Sequence, residues 1–237
     1  MIIRFPHPNL ANEDGIVAIG GELTPPYLLA AYKQGIFPWP ISHEMSKVWF
    51  SPNPRGIIET STFKPPTSFK KHFKKTTYQL SFNRKFEDVI RRCSKVHRPN
   101  QKGTWITDDL IRGYTELFHQ KFAYSIEVWD NDEMVAGLYG VNIGDFFSAE
   151  SMFSEKENAS KFALCALINF LEREKISWVD TQVLSPVVKL FGGKEISRNS
   201  FLTKLSMLDW TRRIKFDSFS KRFPQETLQH TIDIGHT

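Results

Sequence analysis

The hydrophobic positions of this chain change period several times along its 237 residues, and each change marks an element. In "LTPPYLLAAYKQG" the apolar residues recur at helical spacing, with Thr24 placed to cap, Pro25 at the first helical position and Gly35 just past the end. From there to about residue 66 the chain is rich in Pro, Trp and Gly, as in "FPWP" and "WFSPNPRG", which predicts a small N-terminal domain of irregular structure over 1–64, closed by "KPP". Periodicity then becomes orderly. "YQLSFN" reads as a strand, "KFEDVIRRCSKV" as a helix, and "TDDLIRGYTELFHQ" as a second helix with Thr107 as cap and Asp108 and Asp109 at the positive end of its dipole. "YSIEVW" and "MVAGLYGV" are two strands joined by a hairpin turn at "DNDE", and "DFFSAESMF" is a third. "ENASKFALCALINFLEREK" is the strongest helix, with Ala159, Phe162, Ala163, Ala166, Leu167, Phe170 and Leu171 in one broad stripe, and "SWVDTQV" is a strand after it. The tail from Lys215 has little periodicity, which predicts partial disorder.

Over 65–237 the order is therefore strand, helix, helix, three strands, helix, strand. That is the order of the acetyltransferase-like (GNAT) fold, an α/β (α+β) mixed sheet covered by helices. Apolar and charged fractions of 41% and 24% are those of a globular protein, large enough for a sizeable core. The start has no basic region followed by a continuous apolar stretch, and nowhere do about 18 apolar residues run together, so the expectation is a cytoplasmic protein with no membrane contact. Cys93 and Cys165 lie far apart in helical stretches and read as reduced packing residues. His72, His97 and His119 have no partners at ligand spacing, and no metal is expected.

Charge sharpens the picture. Between Lys64 and Lys102 there are twelve Lys or Arg against Glu87 and Asp88, a local excess of ten positive charges in a chain whose net charge is +5. A field of this kind suits a polyanion. Lys70, Lys71, Lys74 and Lys75, following Ser68, recur at helical spacing and offer a cationic ridge to phosphates; a solvated helix face is the alternative.

Candidate chemistry gathers at two strands. Glu150 sits among Phe146, Phe147, Met152 and Phe153, where a lone carboxylate must be protonated, paired, or serve a polar guest. Asp180 lies mid-strand between apolar neighbours. Residues two apart share a strand face, so Asp180 with Gln182, and Glu150 with Met152, are expected to address one cleft. A coenzyme A enzyme should carry a glycine-bearing loop at the start of the long helix; here that place reads "SEKENASK", with no glycine.

Taken in order, "GTWIT", "SIEVW", "ESMFSEKENASK" and "DTQVL", together with "DGIVAIGGELTPPYLLAAYKQGIFPW" and "WFSPNPR", resemble the leucyl/phenylalanyl-tRNA protein transferases over roughly residues 5–207. The resemblance implies an enzyme that moves Leu or Phe, with Met a further possibility, from aminoacyl-tRNA to the N-terminal Lys or Arg of an acceptor protein, marking it for degradation. It implies no cofactor and no ATP, because the ester to tRNA is already activated. Asp180 would act through Gln182 to hold and polarise the attacking amine, and Glu150 would face the donor's α-ammonium group or organise the pocket. Leu138, Phe147, Met152, Leu167 and Leu171 match the family's apolar pocket, while Trp49 and Trp105 match tryptophans near the terminal adenosine. Because Phe147 and Met152 are five positions apart, both can line one pocket only if a bulge lies near Ser148. Two departures stand out: Ser185 replaces a usual Asn after "DTQVL", and Ala149 precedes the carboxylate in place of Gly. A non-catalytic tRNA-binding module and a coenzyme A dependent N-acetyltransferase remain the alternatives.

Overall fold

The computed structural model describes residues 3–41, 47–73, 75–96, 105–214, 216 and 223–224. After β1 (Ile16–Ile19), α1 (Pro25–Lys33) starts at an extended Thr24, carries prolines in its first turn where no donor is needed, and is stopped by Gly35 at φ +77°. Strands β2 (Phe37–Pro38) and β3 (Val48–Phe50) complete a small antiparallel sheet in the order β1-β3-β2. Strands of two to four residues are too short for alternation to register in sequence, which is why this region reads as irregular.

β4 (Arg55–Glu59) falls on the N-terminal side of the expected 64/65 boundary, yet it is a strand of the large sheet. There follow α2 (Thr67–Phe73), β5 (Gln79–Phe82), α3 (Phe86–Cys93), α4 (Asp108–His119), β6 (Ala123–Asp130), β7 (Glu133–Ile143), β8 (Phe146–Ser154), α5 (Ala159–Arg173) and β9 (Trp178–Gln182). α6 (Pro186–Leu190), β10 (Lys194–Ile196), α7 (Arg198–Ser206) and β11 (Phe223–Pro224) complete the described chain; the rest of the tail lies outside the described residues. From β5 to β9 the order is the expected one, and the chain has the GNAT-like mixed sheet. Its strand order is β10-β4-β9-β8-β7-β6-β5-β11, antiparallel everywhere except between β8 and β9.

Local chemistry accounts for the elements. Thr107 caps α4 by accepting the Leu110 N–H, and Asn131 at φ 54° turns the two-residue hairpin between β6 and β7. β6 and β7 are buried along nearly their whole length because helices cover both faces of the sheet. One core lies with α5 and includes Ile126, Leu138, Phe147, Phe162, Leu167 and Leu171. The other lies with α1, α3 and α4 and includes Leu28, Trp49, Val89, Leu110, Tyr139 and Phe153, so packing is continuous from the N-terminal segment into the large sheet.

α5 is buried beyond its expected stripe, since Leu164, Cys165, Ile168 and Asn169 are enclosed as well. Besides the sheet, the turn Thr60–Thr62 packs on this helix, and Phe69 of α2 meets Phe162 edge-on at 5.3 Å. Cys93 and Cys165 are free and buried. Lys70 is half-buried and Lys71 exposed on α2, but the helix ends at Phe73 and the exposed Lys75 lies in the following turn; Lys74 is outside the described residues. Of the four lysines expected on one helical ridge, α2 carries Lys70 and Lys71, and Lys75 lies beyond its end. No helix among the described residues is long and apolar enough to cross a membrane.

Candidate active site

The one aligned pair between the parallel strands β8 and β9 is Ser148 with Asp180, and beyond it the two strands part. Each carries an extra residue at that level. On β8, Tyr139 pairs with Ser151 and Gly140 with Ala149, leaving Glu150 as the bulge; on β9, Ile57 pairs with Asp180 and Gly56 with Gln182, leaving Thr181. A glycine faces each bulge for a steric reason. A Cβ at Gly140 would stand 2.4 Å from the Ser148 carbonyl oxygen, and one at Gly56 would stand 2.8 Å from the Leu184 nitrogen.

A cavity of about 370 Å³ fills the gap where the strands part. Leu138, Met152, Leu164 and Val188 supply apolar wall, Glu150 and Gln182 polar wall, and Trp39 and Trp105 an aromatic pair with ring centroids 5.8 Å apart. Glu150 is 8% exposed and accepts hydrogen bonds from Ser148 Oγ (2.7 Å), Gln182 Nε2 (2.9 Å) and Tyr114 OH (3.1 Å). The Tyr114 hydroxyl in turn meets Tyr32 OH at 2.6 Å. Burial pushes the Glu150 carboxyl above its ordinary 4.5, opposed by the Ser148 and Gln182 hydrogen bonds. Burial also pushes both tyrosines well above 10, and the Glu150 charge adds to it.

Asp180 does not share this cleft. It is fully buried and ion-paired with Arg55, whose Nε reaches Oδ1 at 2.8 Å and Nη2 reaches Oδ2 at 2.6 Å. The expectation that Asp180 and Gln182 face one way fails because Thr181 is bulged and Gln182 takes φ +63°, so the two-residue alternation is broken between them. They remain linked, since Gln182 donates its backbone N–H to Asp180 Oδ1 at 2.9 Å. The expected bulge exists two residues on from Ser148, at Glu150.

Of the residues matched to the apolar pocket, Leu138 and Met152 line the cavity, whereas Phe147, Leu167 and Leu171 belong to the core with α5. Trp105 lines it; Trp49 does not, being 1% exposed with its indole N–H on the Gly20 carbonyl at 2.9 Å. Ser185 lines it as well and caps α6, its hydroxyl oxygen accepting the Val188 N–H. Sequence reasoning missed Arg55, Tyr32, Tyr114, Trp39, Leu164 and Val188. Only Arg55 carried a signal, as a cation opening an otherwise apolar strand "RGII". Among the described residues no group of three His, Cys, Asp or Glu gathers as a metal ion would need; His72 is half-buried, His119 exposed, and His97 lies outside them.

A mixed sheet parted at its parallel pair, with a carboxylate and an amide on the wall of the opening, makes this cleft the candidate active site of the GNAT-like fold. The chain matches the family model described as leucyl/phenylalanyl-tRNA protein transferase over residues 57–206, and the model of that family's N-terminal domain over 21–53. Curated relatives of the same description include proteins of Thermodesulfovibrio yellowstonii (40% identical, covering 94% of each chain), Sulfurimonas denitrificans (44%, covering 86% of this chain and 88% of the other) and Anaeromyxobacter dehalogenans (41%, 85% and 86%). Among solved structures, the likeness to L-PGS from Bacillus licheniformis has a TM-score of 0.40 at 15% identity, over 65% of this chain and 56% of the other. That to aminoglycoside N-acetyltransferase AAC(6')-Iy has 0.33 at 10%, over 60% and 95%. The chain belongs to the leucyl/phenylalanyl-tRNA protein transferase family, and it is an aminoacyltransferase acting with aminoacyl-tRNA and a protein acceptor.

Proposed function

We propose that the cleft between β8 and β9 is where the aminoacyl ester of leucyl- or phenylalanyl-tRNA meets the amine of a protein beginning with Lys or Arg. The observation that carries this reading is the cavity itself. At about 370 Å³ it lies at the small end of ligand pockets, which run roughly 300–1,000 Å³, and so suits one apolar side chain with its ester. Leu138, Met152, Leu164 and Val188 take the Leu or Phe side chain, with the flexible Met152 allowing Met as a further donor. Trp39 and Trp105 offer faces on which the terminal adenosine stacks.

Glu150 faces the donor's α-ammonium group, which compensates the cost of an ionised carboxylate at a buried site. The acceptor's α-amine, with a pKa of about 7.7–8.0, is partly neutral at pH 7 and needs orientation more than deprotonation. The Gln182 amide oxygen accepts from that amine as its nitrogen attacks the ester carbonyl. When the tetrahedral intermediate collapses, the bond to the ribose oxygen breaks, the amine gives up a proton and the ribose oxygen takes one. No ATP, metal or other cofactor enters the balance. Asp180 acts through Gln182 by holding its backbone. Lys70, Lys71, Lys74 and Lys75 contact tRNA phosphates, the residues before β4 act as the N-terminal domain and those from β4 onward as the catalytic domain, and the reaction takes place in the cytoplasm. The acceptor leaves with a destabilising N-terminus that marks it for degradation.

The test is transfer from labelled leucyl-tRNA to a peptide beginning with Arg. Wild type is expected to form the peptide bond, and Gln182→Ala to lose transfer by about 100-fold or more while binding charged tRNA normally, as loss of a transition-state contact does. Intact tRNA binding without transfer by the wild type would instead favour a binding module, and consumption of acetyl-coenzyme A an acetyltransferase.

A further inference from the structure

Arg55 is the largest buried charged side chain among the described residues, and its surroundings are built for it. Besides the two bonds to Asp180, its Nη1 donates to the Gly35 carbonyl at 3.1 Å, and its guanidinium lies over the rings of Phe37 at 4.6 Å and Phe201 at 4.3 Å. β4, the end of α1, β2 and α7 thus converge on one cation. A buried ion pair of this kind is seldom retained for stability, because desolvating both charges cancels most of their attraction. The pair's geometry shows what else it does.

Asp180 Oδ1, held by Arg55 Nε, also takes the backbone N–H of Gln182. Gln182 is the centre of a three-residue turn closed by the Val183 N–H on the Thr181 carbonyl at 2.7 Å, with φ +63°, a conformation that costs a glutamine free energy. Gly56, beside Arg55, is what lets the chain fold into this turn, since a Cβ there would collide with Thr181 Oγ1 at 2.9 Å and with the backbone of 183 and 184. Only in this turn does the Gln182 amide point away from Asp180 and reach Glu150 Oε2 at 2.9 Å and Ser148 Oγ at 3.3 Å.

We infer that Arg55 is a positioning residue for the transfer reaction: its bidentate grip on Asp180 locks the Gln182 turn and so aims the Gln182 amide into the cleft. This rests on the role of Gln182 proposed above. Arg55 touches neither substrate nor reacting atoms. Its influence falls on the placement of an amide, where an error of about 1 Å costs on the order of 100-fold in rate.

Three variants test it, each measured for kcat, for KM toward leucyl-tRNA and for Tm. Arg55→Lys keeps the charge but not the fork, and is expected to lower kcat by about 100-fold with KM changed less than about threefold. The double variant Arg55→Met with Asp180→Leu replaces the pair by apolar groups, and is expected to stay folded with a Tm lowered only as far as the orphaned Gln182 N–H and Gly35 carbonyl require, while losing kcat to the same degree. Gln182→Ala is the reference. If it loses activity while the folded double variant and Arg55→Lys both retain wild-type kcat, Arg55 is structural only and the inference falls. If Gln182→Ala itself retains full activity, the role assigned to Gln182 fails first, and this inference with it.

Discussion

Ser125–Ile126–Glu127 on β6 and Ser148–Ala149–Glu150 on β8 are the same local device used twice in one sheet. In each, a serine hydroxyl donates to the carboxylate two residues on, at 2.6 Å for Ser125 to Glu127 and 2.7 Å for Ser148 to Glu150. In each, burial pushes the carboxyl above its ordinary value. The rest differs. Glu127 is fully enclosed, and takes Ser81 Oγ at 2.5 Å together with the backbone N–H groups of Lys85 (3.2 Å) and Arg84 (3.4 Å), so it anchors the start of α3. Glu150 has side-chain donors only, stands at a bulge, and faces a cavity. A buried carboxylate with every partner supplied by the fold is a brace; one left facing an opening is available to a guest.

Alanine at each position breaks the comparison most sharply. Glu150→Ala is expected to lower transfer by about 100-fold or more, as loss of a preorganised electrostatic partner does, and to cost about 1–2 kcal/mol in stability because Ser148, Gln182 and Tyr114 lose an acceptor. Glu127→Ala strips a partner from two hydroxyls and two backbone amides. It is expected to cost about 2–4 kcal/mol in urea unfolding while transfer, measured well below the melting transition, stays within about threefold. Equal loss of activity in both would erase the distinction.

The glycines opposite the two devices give a smaller contrast. Gly140, paired with Ala149, approaches the backbone of Ser148, whereas Gly137, paired with Glu127, approaches the side chains of Phe153 and Val89. Gly140→Ala is therefore expected to cost about 2–3 kcal/mol and to impair transfer, and Gly137→Ala about 1–2 kcal/mol with transfer kept, because side chains give way more readily than backbone.

Titration separates the two acids further. Where a carboxyl holds its proton more tightly in the fold than in the unfolded chain, the folded state binds more protons over the interval above about 4.5, so stability is full at low pH and falls as pH rises through the raised value. Glu150→Gln removes one of these contributions. Its stability relative to wild type is expected to improve as pH rises from about 4.5 and to level off once pH has passed the raised value, in denaturant titrations; a difference independent of pH would count against a raised Glu150. The smallest effect expected is at Ser185. Asn and Ser cap helices about equally, so Ser185→Asn should change stability by only a few tenths of a kcal/mol, and a loss near 1 kcal/mol would show that the hydroxyl does more than cap α6.

Much of this architecture is legible from periodicity alone. The cap at Thr107, the hairpin at Asn131 and the order from β5 to β9 all follow from local spacing and turn chemistry; α1 starts at Thr24 as expected, but the Thr24 hydroxyl makes no cap hydrogen bond. Glu150 is legible because a charge in an apolar strand demands a reason. Asp180 raised the same demand, but its answer, Arg55, lies 125 residues away in sequence, and no local pattern joins them. The parity rule that placed Asp180 beside Gln182 holds for regular strands and fails at a bulge with a left-handed residue. The aromatic and aliphatic positions of the pocket were readable as apolar, but which of them face the opening is decided by where β8 and β9 part.

The Arg55 contact with the Gly35 carbonyl and the Tyr32 hydroxyl beside Tyr114 have a consequence for chimeras. Both come from the stretch preceding β4, so a graft that exchanged the first fifty residues with those of an unrelated protein would keep every strand of the large sheet in the chain, yet uncover the core around Leu28 and Trp49 and leave the cleft's carboxylate and its amide without their outermost supports. The leading stretch is in this sense the keystone's abutment: removed from the arch's span, yet setting whether the arch closes.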